Sequence, residues 1–191
     1  MSSGEEGGIR YSCALGDKGA GDNVAFNEEE TRFHLIDPVL RGKGYDDPQR
    51  IKLETPAPVE PTGPKGRRRK GAGRTDYLLC VQVGNMPSCM PVAVLEAKKE
   101  SEDPLKGMQQ AKGYADCKRF DVQYVFASNG HLYGDYDKPS GLQAGPLPMR
   151  DFPSHADLCT RYAKDKGIDL TSPAASVLFR ADSPAGEQTR Y

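Results

Sequence analysis

Hydrophobic and polar positions divide this chain into periodic stretches separated by long polar connections. Residues 1–23 are rich in Gly and acids and show no periodicity, which predicts a flexible arm. Asn27 with Glu30 three residues on has the form of an N-capping box. Phe33, Ile36, Val39 and Leu40 follow at helical spacing, and Gly42 and Gly44 end the pattern. Arg50 to Leu53 reads as a short strand. Glu54 to Gly73 holds four prolines and then a basic run, so it is not expected as a central strand or a helix. Asp76–Val83 and Pro91–Ala97 are apolar strands joined by a turn over Gly84–Met90, an antiparallel hairpin. Asp103–Lys118 reads as a helix with Leu105, Met108, Ala111 and Ala115 on one face. Val122–Ala127 is another strand. Ser128 to His131 turns it, and Leu132–Tyr136 returns as a fifth. Lys138–Pro153 reads as loop. Ser154 and Asp157 form a second capping box for a helix ending near Lys166, with Gly167 beyond its end. Thr171–Tyr191, rich in Pro, Ala and Ser, has the composition of a linker. The order predicts an α/β fold, a mixed β-sheet flanked by helices.

Composition narrows the class. The 191 residues suit one domain and a tail. Lys and Arg number 26 against 27 Asp and Glu, a balance that hides two opposed patches. Residues 1–30 carry −5, and Lys65–Arg74 carries +6. The longest uninterrupted apolar run, Val92–Leu95, is far short of a transmembrane helix, which needs ~20 residues. The acidic start does not have the form of a signal peptide, so a cytoplasmic protein without a membrane partner is expected. Five cysteines without C-x-x-C spacing and three histidines do not have the pattern of a zinc site or a disulfide framework.

Candidate chemistry gathers where the hairpin strands meet. Glu96-Ala97-Lys98 closes the second strand, and Asp76 opens the first, with 19 residues between Asp76 and Glu96. Alternation puts Glu96 and Lys98 on one face, and antiparallel pairing can bring Asp76 beside them. Two carboxylates and an ammonium suit Mg²⁺-assisted phosphodiester hydrolysis: hard oxygen ligands hold the ion, and the lysine orients or deprotonates the water or steadies developing charge. A merely exposed, charged strand end produces the same E-x-K pattern. Downstream, Gln110 and Tyr114 lie at i and i+4 on one helix face. Upstream, Glu28 and Arg32 stand one turn apart.

Five segments in order carry a resemblance: NEEETRFHLIDPVL (27–40), TDYLL (75–79), PVAVLEAKK (91–99), QAKGYA (110–115) and FASNG (126–130). Together, over roughly residues 24–170, they resemble the N-terminal nuclease domain of the restriction (R) subunit of type I restriction–modification enzymes. That domain is a PD-(D/E)xK nuclease with the RecB-like Q-x-x-x-Y addition. The resemblance implies a restriction-endonuclease-like fold and an endonuclease that cleaves DNA with Mg²⁺ and without sequence specificity of its own. Asp76, Glu96 and Lys98 would be catalytic. Asp76, Glu96, Ala97 and Glu28 would form the metal set, with Glu29 and Glu30 competing with Glu28 until the helix phase is known. Gln110 and Tyr114 would touch DNA or buttress the site, and Thr31 and Arg32 would be structural or phosphate-facing.

The resemblance further implies a division into an arm (1–23), a nuclease core (24–137), a loop and C-terminal helix (138–170) and a linker (171–191). That linker would lead toward an ATP-driven DNA translocase, and the partners would be the methyltransferase and specificity subunits. No G-x-x-x-x-G-K-[ST] phosphate loop occurs, so ATP would belong to the missing motor. Thr75 stands where the family commonly has Ala, and Tyr45 where a Gly-Trp is common. Arg67, Arg68 and Arg69 in the basic insert either grip DNA phosphates or form a solvated loop. Two rival readings stay open: a RecB-like exonuclease or repair nuclease linked to a helicase, and a catalytically silent DNA-binding and docking module.

Overall fold

The computed structural model describes residues 24–57, 73–116 and 122–177. Its centre is a six-stranded sheet whose strands lie side by side in chain order. They are β1 (Ile51–Ala57), β2 (Gly73–Val81), β3 (Met90–Ala97), β4 (Tyr124–Ser128), β5 (Leu132–Asp137) and β6 (Gln143–Pro148). Every neighbouring pair is antiparallel except β3 and β4, which are parallel. A parallel pair cannot be closed by a tight turn, so the chain crosses over between them. The crossover is a 3₁₀ turn (Pro104–Gly107) followed by a helix placed third in the chain, α3 (Met108–Ala115), after α1 (Glu28–Thr31) and α2 (Asp37–Gly42). This crossover brings the carboxyl ends of β3 and β4 to the same edge of the sheet. The sheet is mixed and helix-flanked, as expected.

Strand alternation sorts the core into two sides. On one, Leu78, Val94 and Val125 pack against Met108, Ala111 and Ala115. On the other, Leu79, Leu95 and Phe126 pack with Ile36 and Leu40 and with Leu158 and Tyr162 of α4 (His155–Lys166). Asp76 and Glu96 are in phase with Leu78 and Val94. They therefore belong to the α3 side, at the end where β2 starts and β3 stops.

Both capping boxes are present. Asn27 and Glu30 exchange side-chain and backbone hydrogen bonds, Ser154 and Asp157 do the same, and Gly167 ends α4 in the left-handed region. Elsewhere the elements depart from the sequence pattern. The first helix is not uniform: Arg32–Ile36 forms a π-helical turn between α1 and α2. Its i→i+5 bonding adds a residue to the turn, so Thr31, Ile36 and Leu40 are buried at spacings of five and four while Phe33, expected on the buried face, is 65% exposed. β1 continues past Leu53 through Pro56, which an edge strand tolerates. The helix expected from Asp103 begins as a 3₁₀ turn with Asp103 as its cap.

The stretch 138–153, expected as loop, contains β6. This strand lies at the opposite edge, is mostly exposed and carries two prolines, so it has neither the alternation nor the composition of an interior strand. Part of the expected linker is packed: Ala175 is in the core, and the Ser172 carbonyl sits against Gly84. The expectations for residues 1–23, for Arg67–Arg69 and for 178–191 lie outside the described residues.

Candidate active site

Asp76 sits in β2 beside the end of β3, and its Oδ2 accepts the backbone N–H of Ala97 at 2.7 Å. That bond ties the first carboxylate to the strand carrying the second. Glu96 has a side chain only 3% exposed. Its Oε1 accepts from Lys98 Nζ at 3.2 Å and from the Gln110 amide. Its Oε2 is buried without a hydrogen-bond partner among the described residues. An unpaired buried carboxylate oxygen is costly in a folded protein. The polar atom left over is an anionic oxygen next to a second carboxylate, which is the donor chemistry a hard divalent cation takes.

Lys98 reaches Glu96 and, at 3.7 Å, Glu28 Oε2 of α1. The position opposite its stem is Gly107. A Cβ there would lie 3.0 Å from Lys98 Cε and 3.2 Å from Ala127 Cβ, so the missing side chain makes room for the lysine. Gln110 Nε2 also donates to the Tyr114 hydroxyl at 3.1 Å, and Gln110 Oε1 accepts from Lys98 at 3.4 Å. The i, i+4 pair therefore forms one chain of contacts ending on Glu96. The Tyr114 ring packs where a side chain at Gly73 would otherwise stand, 2.5 Å from its Cε1.

The first helix answers the question its sequence leaves open. Glu30 is held in the capping box, Glu29 is exposed, and Glu28 is the acid that reaches Lys98. Thr31 is fully buried, and its hydroxyl donates to the Phe26 carbonyl at 3.4 Å, which is a structural placement. Arg32 points to the site instead. Its Nη1 is 3.4 Å from Asp76 Oδ1 and 3.4 Å from Glu54 Oε1, and its guanidinium lies 5.1 Å from the Tyr77 ring centroid. Ala97 contributes its backbone N–H to Asp76.

The charges reflect crowding. Burial, followed by the nearby Asp76 charge, pushes Glu96 up to about 7 against the pull of Lys98. Burial also raises Asp76, although the Ala97 N–H and Arg32 work the other way. Burial disfavours the Lys98 ammonium, but Glu96 and Glu28 outweigh it and its pKa ends above the ordinary lysine value. These are the responses of two carboxylates in want of positive charge. Among the described residues, no cluster of three or more His, Cys, Asp or Glu side chains is arranged to hold a metal ion. Two carboxylates match the habit of Mg²⁺, which keeps several waters and takes one or two protein carboxylates.

Two neighbours escaped the sequence reading. Glu54 lies in a proline-containing stretch with no motif, and only strand register brings it to Asp76. Glu100 accepts the Phe26 N–H at 2.8 Å and pairs with His131 at 2.9 Å, fastening the start of the first helix to the β4–β5 turn. His131 lies in the turn, as expected, and the contact with Glu100 is an addition to that role.

Comparison with known proteins adds the context. No family model matches the chain. It is 28% identical over 159 residues to the type I restriction enzyme EcoAI endonuclease subunit of Escherichia coli, covering 81% of this chain and 19% of that protein. It also superposes with a TM-score of 0.57 and 28% identity on a fragment assigned as the HsdR subunit of a type I restriction enzyme from Vibrio vulnificus. That match covers 76% of this chain and 27% of the other. Over most of its length the chain is therefore similar, in sequence and in fold, to type I restriction endonuclease subunits, and it spans about a fifth of the curated relative.

Proposed function

We propose that this chain is the nuclease domain of a type I restriction enzyme R subunit and hydrolyses DNA phosphodiesters at the Asp76–Glu96–Lys98 cluster. The observation that carries the reading is the buried Glu96 Oε2, without a hydrogen-bond partner among the described residues, beside Asp76 and with Lys98 alongside. The similarity to named endonuclease subunits supports it.

Asp76 and Glu96, with Glu28 in support, are the residues that would hold Mg²⁺. When bound, the ion neutralises phosphate charge and acidifies a water. The protein residues divide the remaining work. The Ala97 N–H fixes one oxygen of Asp76, and Gln110 with Lys98 fixes one oxygen of Glu96. Each carboxylate thus keeps a defined orientation and one oxygen directed elsewhere. Lys98, held protonated by its two acidic neighbours, supplies a fixed positive charge where negative charge develops on the phosphate. Glu28 anchors that charge from the helix side, and Tyr114 limits the swing of the Gln110 amide. Sequence choice is assigned to a specificity subunit, and the partners are DNA and the methyltransferase and specificity subunits of a type I complex.

The test is cleavage of plasmid DNA in Mg²⁺ by the R subunit assembled with its partners and ATP. Asp76→Asn and Lys98→Ala should each lower cleavage by at least ~10²-fold while the melting temperature is preserved. Cleavage that survives both substitutions overturns the assignment.

A further inference from the structure

We propose that Glu54 is a positioning residue for the cation site and acts through Arg32; the inference rests on the nuclease reading above. Three observations converge on it. Glu54 is the one non-glycine residue with positive φ among the described residues, at +46°. A side chain with a Cβ rarely adopts this conformation, and such strain gathers where surrounding structure imposes it. The strand register supplies the second observation. Leu53 pairs with Tyr77 and Thr55 with Thr75, so Glu54 stands level with Asp76 across the β1–β2 ladder. The third is the shared guanidinium. Arg32 Nη1 is 3.4 Å from Glu54 Oε1 and the same distance from Asp76 Oδ1, with side chains of Arg32 and Asp76 only 17% and 14% exposed.

The chemistry follows from counting partners. Asp76 Oδ2 already accepts from Ala97, so the oxygen facing Arg32 is the other one, Oδ1. A divalent cation and a guanidinium on one carboxylate repel each other. Arg32 therefore needs a second counter-charge when a cation engages Asp76, and Glu54 supplies it without a change of helix position. Arg74, 3.4 Å from Glu54 Oε2, holds the far side of that carboxylate so that Oε1 stays turned toward Arg32. Glu54 thus draws Arg32 off Asp76, and the strained backbone at residue 54 keeps its side chain on the site's edge.

The test is Mn²⁺ affinity measured by calorimetry on the metal-free chain, arranged as a double-mutant cycle. Glu54→Gln should weaken Mn²⁺ binding about fivefold, because Arg32 then remains on Asp76. Arg32→Gln should tighten it. In the Arg32→Gln background, Glu54→Gln should change the affinity less than about twofold. An equal loss in both backgrounds would show that Glu54 acts only as a bulk negative charge, and would overturn the inference while leaving the nuclease reading intact. Mn²⁺ binding that Asp76→Asn does not reduce would overturn the nuclease reading and this inference with it. Glu54→Gly separates fold from function, since it removes the positive-φ strain and the carboxylate together. It should keep or raise the melting temperature and still weaken Mn²⁺ binding, whereas a lower melting temperature with unchanged affinity would mark Glu54 as structural and overturn the inference.

Discussion

Glu96 concentrates the conflict between folding and function at the scale of one residue. Its carboxylate is buried and close to Asp76, and its pKa stands at about 7 in place of 4.5. A raised folded-state pKa means that stability is fully present below the unfolded value and is lost as pH rises through the folded one. In metal-free protein that window runs from about 4.5 to about 7. The full rise corresponds to roughly 3 kcal/mol at most. Glu96→Gln should therefore raise the melting temperature in chelator at pH 8 and change it little at pH 4.5. Equal effects at both pH values would contradict the assignment of the strain to the charged form. Mg²⁺ should have the same direction of effect on the wild-type protein at pH 8, since binding to the folded state alone stabilises it.

The elements exist to hold these residues in place, and single atoms in them can be tested. Gly107 ends the 3₁₀ turn against the stem of Lys98. Gly107→Ala should displace the lysine by a few tenths of an ångström and lower cleavage about tenfold, with α3 still formed by circular dichroism. Unchanged cleavage would show that Lys98 tolerates the shift. At the other helix, Ser154→Ala removes the N-cap of α4 and should cost about 1 kcal/mol in denaturant unfolding, without affecting cation binding. Caps, interior strands and the Asp76–Glu96–Lys98 grouping were legible because each depends on local chemistry: an Asx or Ser oxygen three residues before an acid, alternation along a strand, two carboxylates at paired strand ends. The π-helical turn was not, because its insertion shifts the buried face from Phe33 without leaving a mark in composition. β6 was missed because an exposed, proline-bearing edge strand has the composition of a loop. Glu54 was invisible for a third reason: its neighbour Asp76 is set by pairing across a long connection, and no spacing rule reports that.

At the scale of the molecule, four acids, Glu28, Glu54, Asp76 and Glu96, gather with Arg32, Arg74 and Lys98 where β2 starts and β3 stops. In the sequence, the basic run Lys65–Arg74 follows the strand that carries Glu54 and ends inside β2, two residues before Asp76. Positive charge this close to Asp76 in the sequence suits a polyanionic substrate, since the acids alone would repel phosphate. Replacing Arg67, Arg68 and Arg69 together with Ala should weaken DNA binding and reduce the slope of log affinity against log salt by about 2–3. An unaltered slope would mean that the run faces solvent in the complex. The related endonuclease subunit is about five times longer than the stretch matched here.

On the proposed function, Asp76 and Glu96 hold a divalent cation. Anomalous X-ray scattering from crystals of the chain soaked in Mn²⁺ decides this. One strong peak is expected beside the Asp76 and Glu96 carboxylates, absent from the Asp76→Asn protein. Ordered carboxylates with no peak between them, or a peak that persists in Asp76→Asn, would contradict it.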